Sequence, residues 1–233
     1  MEKRNLKYFC FTGGCFSGKT TTMNLIKERF ENIHNINCMI LSEPIRDYKG
    51  TVDISEFRKD VRQYLQMQID TCEMRTKREL EVLEKHKNEK VCVLQDRGVA
   101  DCIFYSRHYI NRNTLPDDLI DSYDDLLFYL DNFGEDNSYN YVYDYVLEFK
   151  PLEIKAETDD QKSFRPKDID EIKYTEYKEI HNWNEWFCSP DAEHKNPLKY
   201  KIIDLNQMST DDLNQYIDKL AEEIKDEWKD EQL

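Results

Sequence analysis

The run FTGGCFSGKTTT, from Phe11 to Thr22, holds the residue types and spacing needed to cradle a polyphosphate. Gly13, Gly18, Lys19 and Thr20 satisfy the pattern G-x-x-x-x-G-K-[ST], with an apolar strand-like run before it and a helical run after it. Glycines let the backbone wrap with its N–H groups turned inward. Lys19 reaches β and γ oxygens, the Thr20 hydroxyl suits magnesium, and the helix N-terminus adds a favourable dipole. Gly13, Gly14, Cys15, Phe16, Ser17, Gly18, Lys19, Thr20 and Thr21 are the candidate nucleotide-binding residues. Cys15 reads as a neutral spacer, with a redox handle as the alternative.

Other residues supply the chemistry that a held phosphate needs. Asp96 closes the apolar run VCVLQ and can share magnesium with Thr20 through water; a plain turn aspartate ahead of Gly98 is the alternative. Arg97 is a cation suited to a transferring phosphoryl group or an anionic substrate. Glu43, in the SEP that follows a second apolar run, is the candidate general base for a hydroxyl, set against a surface-turn glutamate before proline. Asp101 either orients Arg97, touches a sugar hydroxyl, or favours the dipole of a helix start. In QKSFRPKD, Arg165 is flanked by Phe164 and Pro166 and is the candidate to close over the phosphates; a solvated charged loop is the alternative.

Positioning these groups calls for a sheet. Five apolar runs, LKYFCF (6–11), NCMIL (37–41), VCVLQ (91–95), YDYVLEF (143–149) and YKIIDL (200–205), are expected to be strands buried on both faces. Helical periodicity separates them. It covers 20–30, about 55–87, a start near Val99, a start after Pro116, 168–187 and about 210–229. In the second of these, Phe57, Val61, Tyr64, Leu65, Gln68 and Cys72 recur at steps of three and four. The expectation is an α/β fold: a five-stranded, mainly parallel sheet between helices in three layers, as one domain over 1–233 with a short lid at about 155–167. Gly134 to Asn140 is expected to be a surface turn. Open parallel sheets bind ligands outside the carboxyl ends of their strands, so the glycine loop, Glu43 and Asp96 should share one crevice.

Composition narrows the classes. The formal net charge of -15 repels polyanions at long range, so nucleic acid is not an expected partner and a polynucleotide 5′-kinase is disfavoured. Seven scattered cysteines without a C-x-x-C pair read as small buried hydrophobes in a reducing cytoplasm rather than as disulfides or a zinc site. With no apolar run of about 18 residues, a membrane span is not expected.

The order of strand, GGCFSGKTT, helix, strand ending SEP, long helices, strand ending DRG and charged stretch resembles the deoxynucleoside kinase and thymidylate kinase branch of P-loop kinases. DRGVADCIFY is also similar to the DRG-x-x-D of the small ATPase domains that include nicotinamide riboside kinase. The resemblance implies an ATP- and Mg²⁺-dependent enzyme that phosphorylates a small-molecule acceptor, a nucleoside or nucleotide. It implies that Glu43 acts on the 5′-hydroxyl, that Arg97 meets the reacting phosphate, and that a glutamine of the helix after the second strand, Gln66 or Gln63, reads the base; for each of Gln63, Gln66 and Gln68 a solvated side chain is the favoured alternative. The chain has Asp96-Arg97-Gly98 where deoxynucleoside kinases usually have E-R-S. Arg46 stands near the position of an aromatic, where it could meet a phosphate already on the acceptor. A nicotinamide riboside kinase and a non-transferring ATPase or GTPase switch remain as alternatives, although the N-K-x-D motif of GTPases is missing. Monomer and homodimer are both left open.

Overall fold

The computed structural model describes residues 5–46, 58–153, 169–189 and 198–230. In the first strand, Lys7–Thr12 (β1), side chains alternate between two cores. Tyr8 and Cys10 enter one and Phe9 and Phe11 the other, all four fully buried. The same alternation divides Val93 from Leu94 in Val91–Asp96 (β3), and Val146 from Leu147 in Tyr145–Phe149 (β4). Burial on both faces is why these strands read as unbroken apolar runs.

With Asn37–Leu41 (β2) and Lys199–Ile203 (β5), the order is β2-β3-β1-β4-β5, and every pairing is parallel. Each of the five expected runs forms a strand, but the expected burial on both faces holds only for β1, β3 and β4; β2 and β5 are the sheet edges and are partly exposed. Helices Lys19–Asn32 (α1) and Thr210–Asp230 (α6) cover one face. Val61–His86 (α2), Val99–Tyr109 (α3), Asp117–Phe128 (α4) and Ile169–Phe187 (α5) cover the other. This is the three-layer P-loop NTPase fold. No helix among the described residues is long and apolar enough to cross a membrane.

Two expectations change. Helix α2 starts at Val61 because Asp60 caps it, accepting from the amides of Arg62 (3.0 Å) and Gln63 (3.4 Å); Ser55 lies outside the described residues. The stretch Gly134 to Asn140 is not a surface turn. It belongs to helical turns that continue α4 through Tyr129–Gly134, Glu135–Asn137 and Ser138–Val142. One side of it is buried: Ser138 donates to Glu79 (2.5 Å), Tyr139 donates to Asn184 (2.9 Å), and a Cβ at Gly134 would stand 3.0 Å from Val99, while Asn137 and Asn140 donate to Phe133 O (2.7 Å) and Asp136 (2.9 Å), four residues back on the exposed side. The expected lid, with Arg165, lies outside the described residues.

Candidate functional site

The strand ends set the site. Parallel register pairs Phe11 with Asp96, so the glycine loop leaves β1 level with the end of β3. The loop needs glycine at two positions. Gly13 has φ +121° and a Cβ there would meet Phe149 O at 2.4 Å, and Gly18 has φ +81° at the start of α1. Lys19 curls back under the loop, where its Nζ donates to Gly13 O (2.8 Å), Gly14 O (2.6 Å) and Ser17 Oγ (3.1 Å). Burial, reinforced by the nearby Arg97 charge, lowers its ammonium to about 8.

A cleft of about 330 Å³ opens over the loop, lined by residues 15 to 21 with Asp96 and Arg97. Inside it the Thr20 hydroxyl donates to Asp96 Oδ2 at 3.1 Å. One hydroxyl and one carboxylate are hard oxygen donors, the set that Mg²⁺ accepts when phosphate and water complete its octahedron. Among the described residues no group of three or more His, Cys, Asp or Glu could hold a metal. The donor set therefore fits a metal brought with a nucleotide rather than an all-protein cage.

Arg97 turns on a left-handed backbone, φ +74°. Its amide donates to Phe11 O (2.8 Å), and its carbonyl accepts from Gln95 Nε2 (3.0 Å), which holds that conformation. Its Nε lies 2.6 Å from Glu43 Oε1 as an ion pair off the N–H line; Nη1 donates to Asp101 Oδ1 at 3.0 Å, and the guanidinium lies 5.0 Å from the centre of the Tyr105 ring. Asp101, fully buried, also accepts the Gly98 amide (2.9 Å) at the start of α3. It orients Arg97 and caps the helix at once. Burial raises the Glu43 carboxyl above the ordinary glutamate value, and the Arg97 charge pulls the other way.

A second cavity, about 270 Å³, adjoins the cleft and shares Cys15, Phe16 and Arg97 with it. Tyr64, Tyr105 and Tyr109 give it aromatic walls, and Gln68, Thr71 and Arg75 of α2 line it away from the shared residues. Gln68 lines the cavity and Gln66 does not. Residues two apart on a helix are rotated by about 200°, so Gln66 falls on the other side, exposed and donating to Asp70 (2.7 Å). Gln63 is also exposed and donates to Asp60 (2.9 Å). Arg46 ends the short turn Pro44–Arg46, and its side chain lies outside the described residues. Arg58, not anticipated, lines the cavity and stacks over Tyr109 with its guanidinium 3.6 Å from the ring centre.

Arg75 was missed as well. It is 2% exposed, and its Nε and Nη1 have no hydrogen-bond partner. Glu176 of α5 is the other omission. Its carboxylate accepts the Cys15 amide at 2.9 Å, and α5 lies so close to the loop that a Cβ at Gly14 would meet Lys173 O at 2.8 Å. Burial, with the Glu176 charge, pushes the Cys15 thiol up to about 12. That keeps the sulfur protonated and removes the physical basis for a redox handle. The missed residues did leave a signal in the sequence. Lys173, Glu176, Ile180, Asn184 and Phe187 share one stripe of α5, as Tyr64, Gln68, Thr71 and Arg75 share one of α2. Polar residues in phase with the buried face mark a site.

No curated protein sequence matches the chain significantly. Among solved structures, deoxyadenosine kinase from M. mycoides with bound dCTP is 15% identical, with a TM-score of 0.56 over 91% of this chain and 98% of that one. Thymidylate kinase from Ehrlichia chaffeensis is 18% identical, with a TM-score of 0.47 over 93% of this chain and 97% of that one. At these identities the likeness is one of fold. Residues 8–187, most of the chain, match the family model described as an AAA domain, and the chain belongs to that family.

Proposed function

We propose that this protein is a kinase that transfers the γ-phosphate of ATP, with Mg²⁺, to a hydroxyl of a nucleoside or nucleotide. The observation that carries the reading is Arg97: it lines both the phosphate-loop cleft and the adjoining cavity, and it pairs with Glu43 between them. A hydrolase or switch has use for the first space, whereas a two-substrate transfer uses both. The kinase fold of the structural neighbours supports the same reading.

In this scheme residues 13 to 21 hold the donor phosphates, and Lys19 turns from its loop carbonyls to the β and γ oxygens. Thr20 and Asp96 hold Mg²⁺, which supplies charge neutralisation on the polyphosphate when bound. Glu43 takes the proton from the acceptor hydroxyl, and burial brings its basicity closer to neutrality, where a general base works best. Arg97 is aimed at the transferring group by Asp101 and neutralises its developing charge; Arg165 is the proposed lid cation. The tyrosine walls suit a flat heterocycle. Gln68 and the open N–H groups of Arg75 would meet the polar edge of that ring.

Coupled ADP release across a panel of nucleosides, nucleoside monophosphates and nicotinamide riboside tests the reading. ADP release stimulated by a nucleoside or nucleoside monophosphate is the expected result. Release that no acceptor increases overturns the transfer reading in favour of a non-transferring ATPase.

A further inference from the structure

Thr12, Asn184 and Glu148 line neither cavity, yet they form one end of a buried chain that reaches Glu43. Parallel register sets Thr12 beside Glu148 at the ends of β1 and β4. Asn184 of α5 bridges them: its Nδ2 donates to Glu148 Oε2 (2.8 Å) and to Thr12 Oγ1 (3.3 Å), and its Oδ1 accepts from Tyr139 (2.9 Å). The Thr12 hydroxyl then donates to Asp101 Oδ2 at 2.6 Å, and Asp101 Oδ1 accepts from Arg97 Nη1. All of Thr12, Asp101, Glu148 and Asn184 are fully buried.

The direction of every hydrogen in this chain is fixed. A hydroxyl has a single proton, and in Thr12 it goes to Asp101, so the oxygen must accept from Asn184. Only one orientation of the Asn184 amide gives two donors to Glu148 and Thr12 and an acceptor to Tyr139. The hydroxyl is also what strand packing does not need, since valine has the same branched shape and suits a buried strand. Capping of α3 does not need it either, because the Gly98 amide already meets Asp101 Oδ2. Its remaining effect is on the carboxylate that aims Arg97.

We propose that Thr12 and Asn184 are positioning residues for Arg97, fixing through Asp101 the guanidinium that meets Glu43. The same helix α5 that places Glu176 on the Cys15 amide thereby also sets the reacting arginine. The consequence for turnover rests on the kinase reading above; the positioning itself does not.

Thr12→Val in the full chain tests this with two readouts. The first is solvent exchange of the Arg97 guanidinium N–H protons by NMR, including the Nη1–H that meets Asp101, assigned by the loss of their signals in Arg97→Lys. The second is the split between kcat and the KM for ATP. We expect exchange about tenfold faster, kcat lower by about ten- to a hundredfold with the KM for ATP unchanged, and recovery of both in Thr12→Ser. If the wild-type protein phosphorylates no acceptor, the kinase reading falls while the exchange measurement still decides the positioning. Unchanged exchange in a folded Thr12→Val protein overturns the proposal; faster exchange with kcat intact supports the positioning and overturns its consequence for turnover. Should Thr12→Val not fold, Asn184→Ala is read in the same way.

Discussion

Arg97 Nε stands 2.6 Å from Glu43 Oε1, with both side chains largely withdrawn from water, at the boundary between the phosphate-loop cleft and the tyrosine-lined cavity. The pair carries opposed influences on one carboxylate. Burial raises the proton affinity of Glu43 and the guanidinium lowers it, with burial dominant. A general base works ionised, so turnover is expected to fall as pH drops through the raised Glu43 value, above the range of an ordinary glutamate. Removing the cation in Arg97→Gln takes away the lowering influence and should move that acid limb of the residual activity to higher pH. A limb that stays put or moves to lower pH would show that the two groups do not titrate against each other. Glu43→Gln should lose about 10²–10⁴-fold in kcat with ATP binding intact, as read by kinetics beside direct nucleotide titration.

Thr20 Oγ1 and Asp96 Oδ2, 3.1 Å apart, are the oxygen pair offered to a hard cation. Asp96→Asn keeps the size and a hydrogen-bond acceptor but removes the charge. Its expected effect is a rise of about 10–100-fold in the Mg²⁺ concentration needed for half-maximal activity. Binding of metal-free ATP, which in the proposed scheme depends on the loop amides and Lys19, should not weaken. Titrating Mg²⁺ at saturating ATP separates the two, and an unchanged Mg²⁺ requirement removes Asp96 from the metal role.

Gln68 and Gln66 differ by two residues and face different worlds, one against the cavity and one in solvent paired with Asp70. Gln68→Ala is expected to lower kcat/KM for the acceptor by about three- to tenfold, the value of one or so hydrogen bonds. The KM for ATP should be unaffected, and Gln66→Ala should be neutral in both. A larger effect from Gln66→Ala would mean that the cavity is not where the acceptor binds.

The two glutamines also mark where sequence reading succeeds and where it stops. The three central strands were legible because burial on both faces leaves an unbroken apolar run, the edge strands β2 and β5 by their apolar residues although much of each is exposed, and the glycine loop because its φ angles and its lysine admit few other residues. Gln68 already stood in the α2 periodicity with Tyr64, Leu65 and Cys72. Its partners Arg75 and Glu176 were hidden because an isolated charged residue on a helix reads as a solvated one. What gives them away is phase with the apolar stripe, not residue type. The Gly134 to Asn140 stretch failed for the converse reason. Its asparagines have turn chemistry but donate to groups one helical turn back, and Ser138 and Tyr139 meet partners distant in sequence, Glu79 and Asn184. Such long-range pairs leave no local pattern.

Gly98 offers a test of the packing that carries Arg97. Its φ of -120° is open to any residue, so conformational freedom is not what the position requires. Space is: a Cβ would stand 2.4 Å from Cys10 Sγ of β1 and 3.4 Å from the Tyr143 hydroxyl. Cys10 is fully buried in the sheet and cannot yield without moving the strand that leads into the phosphate loop. Gly98→Ala is therefore expected to destabilise the fold by about 1–3 kcal/mol, as overpacking does. For a chain of this size that is a drop of roughly 2–12 °C in Tm. Adding Cys10→Ala removes the sulfur that the new methyl meets and should restore part of the loss, so the double variant should be more stable than the sum of the single changes. Thermal unfolding of the four proteins in the cycle decides it. Strict additivity would mean that the destabilisation comes from elsewhere than contact between the α3 start and Cys10 of β1.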